Sequence, residues 1–198
     1  MTKIIGIDLD EVLAETIDQI LEDNDFVLGN TRVKREDILD YYIYKNKNID
    51  ISLEDAIRLF HGVYLNDIDL NIKVVDGSYC KINEFKNKGY TLKIVTGRPD
   101  DVEDYTKEWV NKYFKDIFDS IHFANHFNYS LDEKKKRLKS EICNELGISI
   151  MIEDNFDYAL ELAQNGIYTY LLEKPWNKHI NIDHPNIKKV KSWKDIDI

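Results

Sequence analysis

The sequence predicts an α/β fold in which helices flank a parallel sheet and a small helical subdomain follows the first strand. Short apolar runs alternate with amphipathic stretches of helical length over most of the chain, a pattern typical of βαβ units. Residues 14–72, between the first strand and the next, are acidic, mostly helical in pattern and far too long for an ordinary loop. With 198 residues, 43% of them hydrophobic, the chain can bury a sizeable core.

One strand and two helices are predicted in the N-terminal third of the chain. Residues 2–10 are a short apolar run ending in acids, which suits a strand buried on both faces. A helix is predicted over 14–28, and the polar stretch 30–50 has only weak periodicity. Ser52, with an acid three residues later, is a typical N-cap, so we expect a second helix over 52–64.

From residue 76 onward, helices and strands alternate regularly. Predicted helices cover 77–88, 100–114, 131–146 and 155–164, predicted strands cover 90–96, 117–123, 148–152 and 167–172, and the tail 188–198 adds a short strand and a helical turn. This alternation predicts right-handed crossovers within one parallel sheet. We therefore expect an α/β core of residues 1–13 and 73–198 and a helical cap of residues 14–72.

The charge and composition exclude several classes of protein. The net charge is −10, and residues 14–72 hold 13 acids and 6 bases. Such acidity disfavours binding to long nucleic acids and to anionic membranes. No apolar run approaches the ~20 residues of a spanning helix, and no secretory leader is visible, so the cytoplasm is expected. Cys80 and Cys143 have no metal-site spacing and are expected to be reduced.

Polar residues that could carry chemistry lie where predicted strands end. Asp8 and Asp10 follow the first strand, Thr96 ends the next, and Asp154 follows the strand over 148–152. Ligands of open parallel sheets bind beyond the carboxyl ends of the strands, so these side chains are expected to converge. Clustered carboxylates require a cation, and an all-oxygen ligand set suits Mg²⁺. A carboxylate beside Mg²⁺ and a lysine is a suitable nucleophile for phosphoryl transfer.

Each motif alone also has a simple structural interpretation. Asp-x-Asp can be a cap or a turn, residues 96–99 can be a turn, residues 134–137 can be a solvated helix face, and residues 153–155 can be a helix N-cap. An EF-hand is excluded, because Leu13 occupies the position that requires Gly. The order of the motifs at successive strand ends favours one shared site.

That order resembles the haloacid dehalogenase (HAD) superfamily of phosphohydrolases, whose core is a Rossmann-like parallel sheet. The four motifs match at Asp8-Leu9-Asp10, at Thr96-Gly97-Arg98, at Lys139 and at Glu153-Asp154, and together they span residues 4–155. Within this superfamily the chain is similar to the 5′-nucleotidase, deoxy (pyrimidine), cytosolic type C family and to related bacterial 5′(3′)-deoxyribonucleotidases. The details that point there are Glu11-Val12 after Asp10, the insertion directly after the first motif, the single short helix and strand between Lys139 and Glu153, and the tail 172–177 followed by Ser192-Trp193.

The resemblance implies a role for each matched residue. Asp8 would be the nucleophile that forms an aspartyl-phosphate, and Asp10 would protonate the leaving group and later activate water. Thr96 would hydrogen-bond the phosphoryl oxygens, and Lys139 would neutralise the phosphate and position Asp8. Residues 134–136 include three lysines that are alternatives to Lys139.

The resemblance also implies a metal site and a set of substrate contacts. Mg²⁺ would be bound by Asp8, the Asp10 main-chain carbonyl and Asp154, with Glu153 acting through water. Substrate binding would involve Thr96, Gly97, Arg98 and Lys139, and backbone N–H groups of residues 9–11 and 97–98 would supplement charge stabilisation. For Arg98 two interpretations remain open, a substrate contact or a surface turn residue.

The cap would close over the site and recognise the leaving group. Its aromatic residues either stack on a nucleobase or form the cap's own small core; they are Phe26, Tyr41, Tyr42, Tyr44, Phe60 and Tyr64. The predicted function is a Mg²⁺-dependent phosphomonoesterase acting on a small phosphate ester, with a nucleoside monophosphate as the first choice. The alternatives are a phosphatase of another metabolite such as a sugar phosphate, a nucleotide sensor without hydrolysis, and a receiver-like signalling module. The receiver is disfavoured because the predicted strand over 117–123 does not end in Asp.

Overall fold

A six-stranded parallel sheet forms the centre of the protein in the computed structural model, which describes residues 3–24, 26–28, 31–47, 49–65, 71–126 and 135–198. The strands of this sheet are β1 (Ile4–Ile7), β4 (Thr91–Thr96), β5 (Ser120–Phe123), β6 (Ile148–Glu153), β7 (Tyr168–Leu172) and β8 (Ile187–Val190). Their order is β5-β4-β1-β6-β7-β8, and every neighbouring pair is parallel. The predicted parallel α/β fold is confirmed, and β1 lies at the centre of the sheet.

Helices in the core connect consecutive strands. They are α3 (Ser78–Asn87), α4 (Glu103–Phe114), α5 (Lys139–Leu146) and α6 (Phe156–Gln164). Gly6 in β1 lies close to the side chains of β6. A Cβ at this position would lie only 2.7 Å from Met151 Sδ. The tail forms β8 and a short 3₁₀ turn at Trp193–Asp195, as its pattern predicts. Among the described residues, no helix is both long and apolar enough to cross a membrane.

The segment between β1 and α3 is less helical than its sequence pattern predicts. It contains α1 (Thr16–Asp23), a hairpin of β2 (Val27–Leu28) and β3 (Thr31–Arg32), two 3₁₀ turns at Arg35–Asp37 and Ile43–Lys45, and α2 (Leu53–Leu65). The predicted helix over 14–28 is therefore too long. It ends because Asn24 is extended and its side chain binds the carbonyl of Ile20 in the last turn. The predicted N-cap at Ser52 is confirmed, since its Oγ accepts the Asp55 N–H at 3.0 Å.

The predicted helix over 131–146 is also too long. Residues 131–134 lie outside the described residues, and α5 begins only at Lys139. Arg137 donates its backbone N–H to the carbonyl of Ala124 at 3.0 Å, and Leu138 is extended with ψ 139°. The chain just before Lys139 is thus tied to the segment after β5, and the helix cannot extend further toward its N-terminus.

Candidate active site

A tight turn after β1 brings two acidic side chains to the same edge of the sheet. Asp8 still donates its N–H to the carbonyl of Ile152 in β6, at 3.0 Å, and the chain then turns, with Leu13 N–H donating to the carbonyl of Leu9 at 2.8 Å. Glu11 has a φ of 64°, a left-handed conformation that is costly for a residue with a Cβ. The turn removes the alternation of a straight strand, so that Asp8 and Asp10 both lie near the carboxyl ends of β1 and β4.

Three buried carboxylates and one lysine form the centre of the site. Asp8, Glu153 and Asp154 each offer a carboxylate oxygen, and these oxygens lie within 4.8 Å of one another. Lys139 Nζ lies 2.9 Å from Asp8 Oδ1 and 2.7 Å from Glu153 Oε2. Burial and the nearby Glu153 raise the pKa of Asp8 to about 8. Burial of Lys139 would lower its pKa, but Asp8 and Glu153 outweigh burial and raise it.

Glu153 is fixed by its own backbone neighbours. Its Oε1 accepts the N–H groups of Asp154 and Asn155, both at 3.0 Å, and its Oε2 accepts Lys139. Both oxygens are therefore engaged in orienting the loop after β6. This arrangement leaves Asp8 and Asp154 as the carboxylates with capacity for a further partner.

The cluster fits a divalent cation. One oxygen of Asp154, Oδ2, accepts the indole N–H of Trp176 at 3.0 Å, whereas Oδ1 is buried and has no hydrogen-bond partner among the described residues. Burial and the neighbouring Glu153 and Asp8 raise the pKa of Asp154. One lysine faces three carboxylates, so negative charge remains to be neutralised, and hard oxygen donors are the ligands that Mg²⁺ prefers.

Asp10 is held by a second set of contacts. Arg98 Nη2 donates to Asp10 Oδ1 at 2.8 Å and Arg98 Nε donates to Asp10 Oδ2 at 3.0 Å. Thr16 Oγ1 donates to Oδ1 at 2.5 Å, and the Tyr64 hydroxyl lies 3.3 Å from Oδ2. Burial of Asp10 would raise its pKa, but the guanidinium of Arg98 outweighs burial and lowers it.

Arg98 is not a surface turn residue. Its exposed fraction is 1%, its Nη1 donates to Thr106 Oγ1 at 3.1 Å, and its guanidinium lies 4.1 Å from the centre of the Tyr64 ring. Thr96, also fully buried, accepts the Arg98 backbone N–H through its Oγ1 at 3.1 Å. Gly97 lines the pocket next to Asp8 and Asp10. The three residues predicted at the end of β4 therefore lie together at the site.

Of the described lysine candidates, Lys139 contacts the acid cluster. It is the first residue of α5, it is 1% exposed, and it faces Asp8. Lys135 is exposed and pairs with Asp100 Oδ1 at 3.3 Å. Lys136 is half-buried, and Lys134 lies outside the described residues.

An aromatic pocket adjoins Asp8 and Asp10. Its walls include Asp8, Asp10 and Arg98 from the sheet edge, and aromatic side chains from the segment 14–72. Five of the six predicted aromatic candidates line it, namely Tyr41, Tyr42, Tyr44, Phe60 and Tyr64. Phe26 is not among the residues that line the pocket, and it packs against the main hydrophobic core.

Sequence reasoning missed a group of charges beside the pocket, of which Glu11 is buried and Arg35 and Lys174 are half-buried. Glu11 accepts the Ile17 N–H at 2.7 Å and forms an ion pair with Arg35, and Lys174 Nζ lies 3.9 Å from Glu11. Arg35 also stacks over the ring of Trp176. The only sequence signal for this group was the tail around Trp176, which is part of the family resemblance. Arg35 lies in a stretch without clear periodicity.

The side chains after β5 support the loops around the site. Asn125 accepts the Asp100 N–H through its Oδ1 at 2.8 Å. His126 Nε2 lies 2.8 Å from the carbonyl of Arg137, and its ring lies 4.6 Å from that of Tyr158. The Tyr158 ring in turn lies beneath the Lys139 ammonium, 4.9 Å from its centre.

Solved structures that share this fold are hydrolases and phosphatases of the HAD superfamily. A HAD hydrolase, family IA, variant 3 from Entamoeba histolytica superposes with a TM-score of 0.59 at 17% identity, over 100% of this chain and 96% of its own. CbbY from Rhodobacter sphaeroides, solved in complex with phosphate, gives a TM-score of 0.59 at 16% identity, over 98% of this chain and 96% of its own. A haloacid dehalogenase-like family protein from Streptococcus pneumoniae gives 0.57 at 16% identity, over 87% and 85%. No curated protein sequence matches significantly.

The family assignment comes from the sequence as a whole. The model of the family "5′ nucleotidase, deoxy (Pyrimidine), cytosolic type C protein" matches residues 2–198. The match confirms the predicted resemblance and the predicted enzyme class, a hydrolase of the phosphatase and nucleotidase type. The chain belongs to the 5′ nucleotidase, deoxy (Pyrimidine), cytosolic type C family.

Proposed function

We propose that this protein is a Mg²⁺-dependent phosphomonoesterase that hydrolyses nucleoside monophosphates through an aspartyl-phosphate (acyl phosphate) intermediate on Asp8. The observation that carries the proposal is the position of Asp8. Its carboxylate lies in the acid cluster, 2.9 Å from the Lys139 ammonium, at the floor of the aromatic pocket. A nucleophile, a cation site and an apolar pocket for a leaving group are thus adjacent.

In the first half of the reaction, an oxygen of Asp8 attacks phosphorus and the bond from phosphorus to the leaving oxygen breaks. Arg98 favours the carboxylate form of Asp10, so Asp10 must first take up a proton from water. It then delivers this proton to the leaving oxygen, and the alcohol leaves neutral. In the second half, Asp10 takes a proton from water, the water oxygen attacks phosphorus, and Asp8 is released with inorganic phosphate. The Arg98 contacts hold both oxygens of Asp10 in one orientation for these two transfers.

Asp8 and Asp154 would hold the Mg²⁺ ion, together with the Asp10 main-chain carbonyl. When bound, the ion would neutralise charge between the carboxylates and the phosphoryl oxygens. Lys139 would neutralise a further phosphoryl oxygen and keep Asp8 oriented, while Glu153 fixes Lys139 and the loop after β6. The Thr96 hydroxyl and the backbone N–H of Gly97 would bind the remaining oxygens, whereas the Arg98 N–H is already donated to Thr96 Oγ1.

The pocket supports a planar, apolar leaving group. Tyr42, Tyr44 and Phe60 present aromatic surface next to Asp10, and aromatic rings stack on every nucleobase. We propose that residues 14–72 act as a cap that reads this base, over a core of residues 1–13 and 73–198. The family name supports a nucleotide substrate and a cytosolic location.

Phosphate release from purified protein tests the proposal. The panel contains ribo- and deoxyribonucleoside 5′- and 3′-monophosphates and a set of sugar phosphates, each with and without Mg²⁺. We expect turnover of nucleoside monophosphates that depends on Mg²⁺ and is abolished by Asp8→Asn. Phosphate on the Asp8 peptide of acid-quenched wild type should be absent from this variant. If only sugar phosphates are hydrolysed, the proposed nucleotide substrate class is wrong. If Asp8→Asn remains active, the proposed mechanism is wrong.

A further inference from the structure

Residues 174–177, after β7, have no role in the reaction proposed above, yet they hold Asp154 at two points. The Trp176 indole N–H donates to Asp154 Oδ2 at 3.0 Å. Asn177 Nδ2 donates to the main-chain carbonyl of Asp154 at 2.7 Å. Both residues are buried, with exposed fractions of 4% and 0%. Side chain and backbone of Asp154 are therefore fixed by neighbouring residues of one short segment.

The segment is itself rigidly held. Asn177 also donates to the carbonyl of Leu172 at 2.8 Å and accepts the Lys174 N–H at 3.0 Å. Lys189 in β8 donates to the carbonyl of Asn177 at 2.8 Å. Asn177, the residue after Trp176, is thereby anchored through its side chain to the end of β7 and through its carbonyl to β8.

Two side chains of the segment 14–72 contact the indole ring of Trp176. The Arg35 guanidinium lies 5.5 Å from the centre of the Trp176 ring, and the Tyr41 ring contacts it edge-on at 6.4 Å. Arg35 is in turn held by ion pairs with Glu11 and Asp18. These contacts from the segment 14–72 prevent the indole from turning away from Asp154.

We infer that Trp176 is a positioning residue for the metal ligand Asp154. The indole occupies Oδ2, which fixes the rotation of the carboxylate, so that Oδ1 is the oxygen left to bind a cation. That oxygen is buried without a hydrogen-bond partner in the described part of the chain. The inference rests on the cation site of the proposed function. Partners that orient a metal ligand typically contribute 10- to 100-fold to metal affinity.

Direct metal binding to the full-length protein tests the inference. Trp176→Phe keeps an aromatic ring and removes the N–H donor. Trp109→Phe is the matched control, because Trp109 is equally buried and donates its N–H to the Ile72 carbonyl at 3.0 Å, away from the acid cluster. By calorimetric titration, we expect the Mg²⁺ dissociation constant to rise about tenfold in Trp176→Phe and to stay unchanged in Trp109→Phe.

The wild-type protein provides a second readout that needs no stable Trp176 variant. The three tryptophan indole groups each give one signal in a ¹H–¹⁵N spectrum; the Trp109→Phe and Trp193→Phe variants each assign one signal by its absence, and the third belongs to Trp176. We expect added Mg²⁺ to shift the Trp176 signal and to leave the Trp109 signal in place. Selective ¹³C labelling of aspartate carboxyl groups then tests whether an Asp154 signal moves with it.

The outcomes separate this inference from the proposed function. If wild type binds Mg²⁺ and hydrolyses phosphate esters, but Trp176→Phe binds Mg²⁺ equally well and the indole signal does not shift, the inference is wrong and the proposed function stands. If wild type binds no Mg²⁺, the cation site is wrong and the inference falls with it. If Trp176→Phe does not fold, the inference is tested by whether Mg²⁺ shifts the Trp176 indole signal in the wild-type spectrum.

Discussion

Arg98 donates hydrogen bonds to both carboxylate oxygens of Asp10, with Nη2 2.8 Å from Oδ1 and Nε 3.0 Å from Oδ2. Such a two-point contact fixes the plane of the carboxylate as well as its charge. Arg98 is fully buried at the end of β4, whereas Asp10 belongs to the turn after β1. This contact therefore joins the ends of the neighbouring strands β1 and β4. It also fixes Asp10, the residue proposed as the general acid and base.

Replacing Arg98 should lower turnover more than it lowers substrate affinity. In Arg98→Met the carboxylate of Asp10 loses its orientation, so we expect kcat to fall about 100-fold, the lower end of the contribution of a positioned acid and base. Arg98→Lys should be nearly as impaired, since an ammonium cannot form the two-point contact. Steady-state kinetics with a melting temperature for each variant measures this, and a folded Arg98→Met enzyme with normal kcat would contradict it.

Lys139 should be required for both stability and activity. Lys139→Met leaves Asp8 and Glu153 buried without their shared cation, and breaking a buried ion pair in this way costs about 3–5 kcal/mol. Chemical denaturation of the metal-free protein measures the loss. Lys135→Met is the matched control, because its exposed pair with Asp100 is worth no more than about 1 kcal/mol. Activity lost in Lys135→Met but kept in Lys139→Met would reassign the motif lysine.

The strand ends could be predicted from sequence because parallel sheets impose a simple geometry. Apolar runs ending in Asp8, Thr96 and Asp154 must deliver those residues to one edge, whatever the details of packing. Lys139 came from the family resemblance, with the lysines of residues 134–136 as alternatives, because the predicted helix over 131–146 was too long to show where the helix begins. The segment 14–72 was harder to predict, since its 3₁₀ turns and hairpin have no strong periodicity.

Contacts between residues far apart in the chain could not be predicted. Nothing local indicates that Arg98 is buried against Asp10, because Thr-Gly-Arg-Pro is equally compatible with an exposed turn. The same holds for Trp176 and Asp154, which are brought together by the chain after β7. Such pairings depend on tertiary packing, which a single sequence does not encode in any short pattern.

Mg²⁺ binding should strengthen as the pH rises. Burial and neighbouring carboxylates raise the pKa of Asp8 to about 8 and also raise that of Asp154, so near neutral pH the metal-free cluster retains protons that the cation must displace. We expect the Mg²⁺ dissociation constant to be larger at pH 6.5 than at pH 8.5. Titration calorimetry in buffers of different ionisation enthalpy should detect proton release at the lower pH, and Asp154→Asn should lose most of the binding.

The aromatic pocket should determine affinity for nucleotides but not for small phosphate esters. Phe60→Ala removes a ring from the pocket wall, and base stacking is worth about 1–3 kcal/mol, so KM for nucleoside monophosphates should rise about tenfold. Turnover of a sugar phosphate should be unchanged. Phe26→Ala, which removes a ring of the same segment that packs on the core but does not line the pocket, should change stability without changing this selectivity. Equal effects of Phe60→Ala on both substrate types would contradict a base-binding pocket.

His126 should make the folded protein less stable in acid. Its Nε2 faces the Arg137 carbonyl, which can only accept, so this nitrogen carries the proton, and Nδ1 is buried without a partner among the described residues. Burial and the nearby Lys139 lower the pKa of His126 to about 4. The imidazole of His126 therefore takes up its second proton at a higher pH in the unfolded chain than in the folded protein. Stability from this group is complete above about pH 6.5 and is lost as the pH falls toward 4.

The expected loss from His126 is about 2 kcal/mol between pH 7 and pH 4.5. Urea denaturation of wild type and His126→Gln at both pH values isolates it, because Gln retains an N–H donor for the carbonyl but does not titrate. The raised pKa of Asp8 acts in the opposite direction and is common to both proteins, so it cancels in the comparison. We expect the stability of His126→Gln to fall less on acidification than that of wild type, while His179→Gln, at an exposed site, should follow wild type. Parallel pH curves for wild type and His126→Gln would mean that this ring accepts a proton as readily in the folded protein as in the unfolded chain.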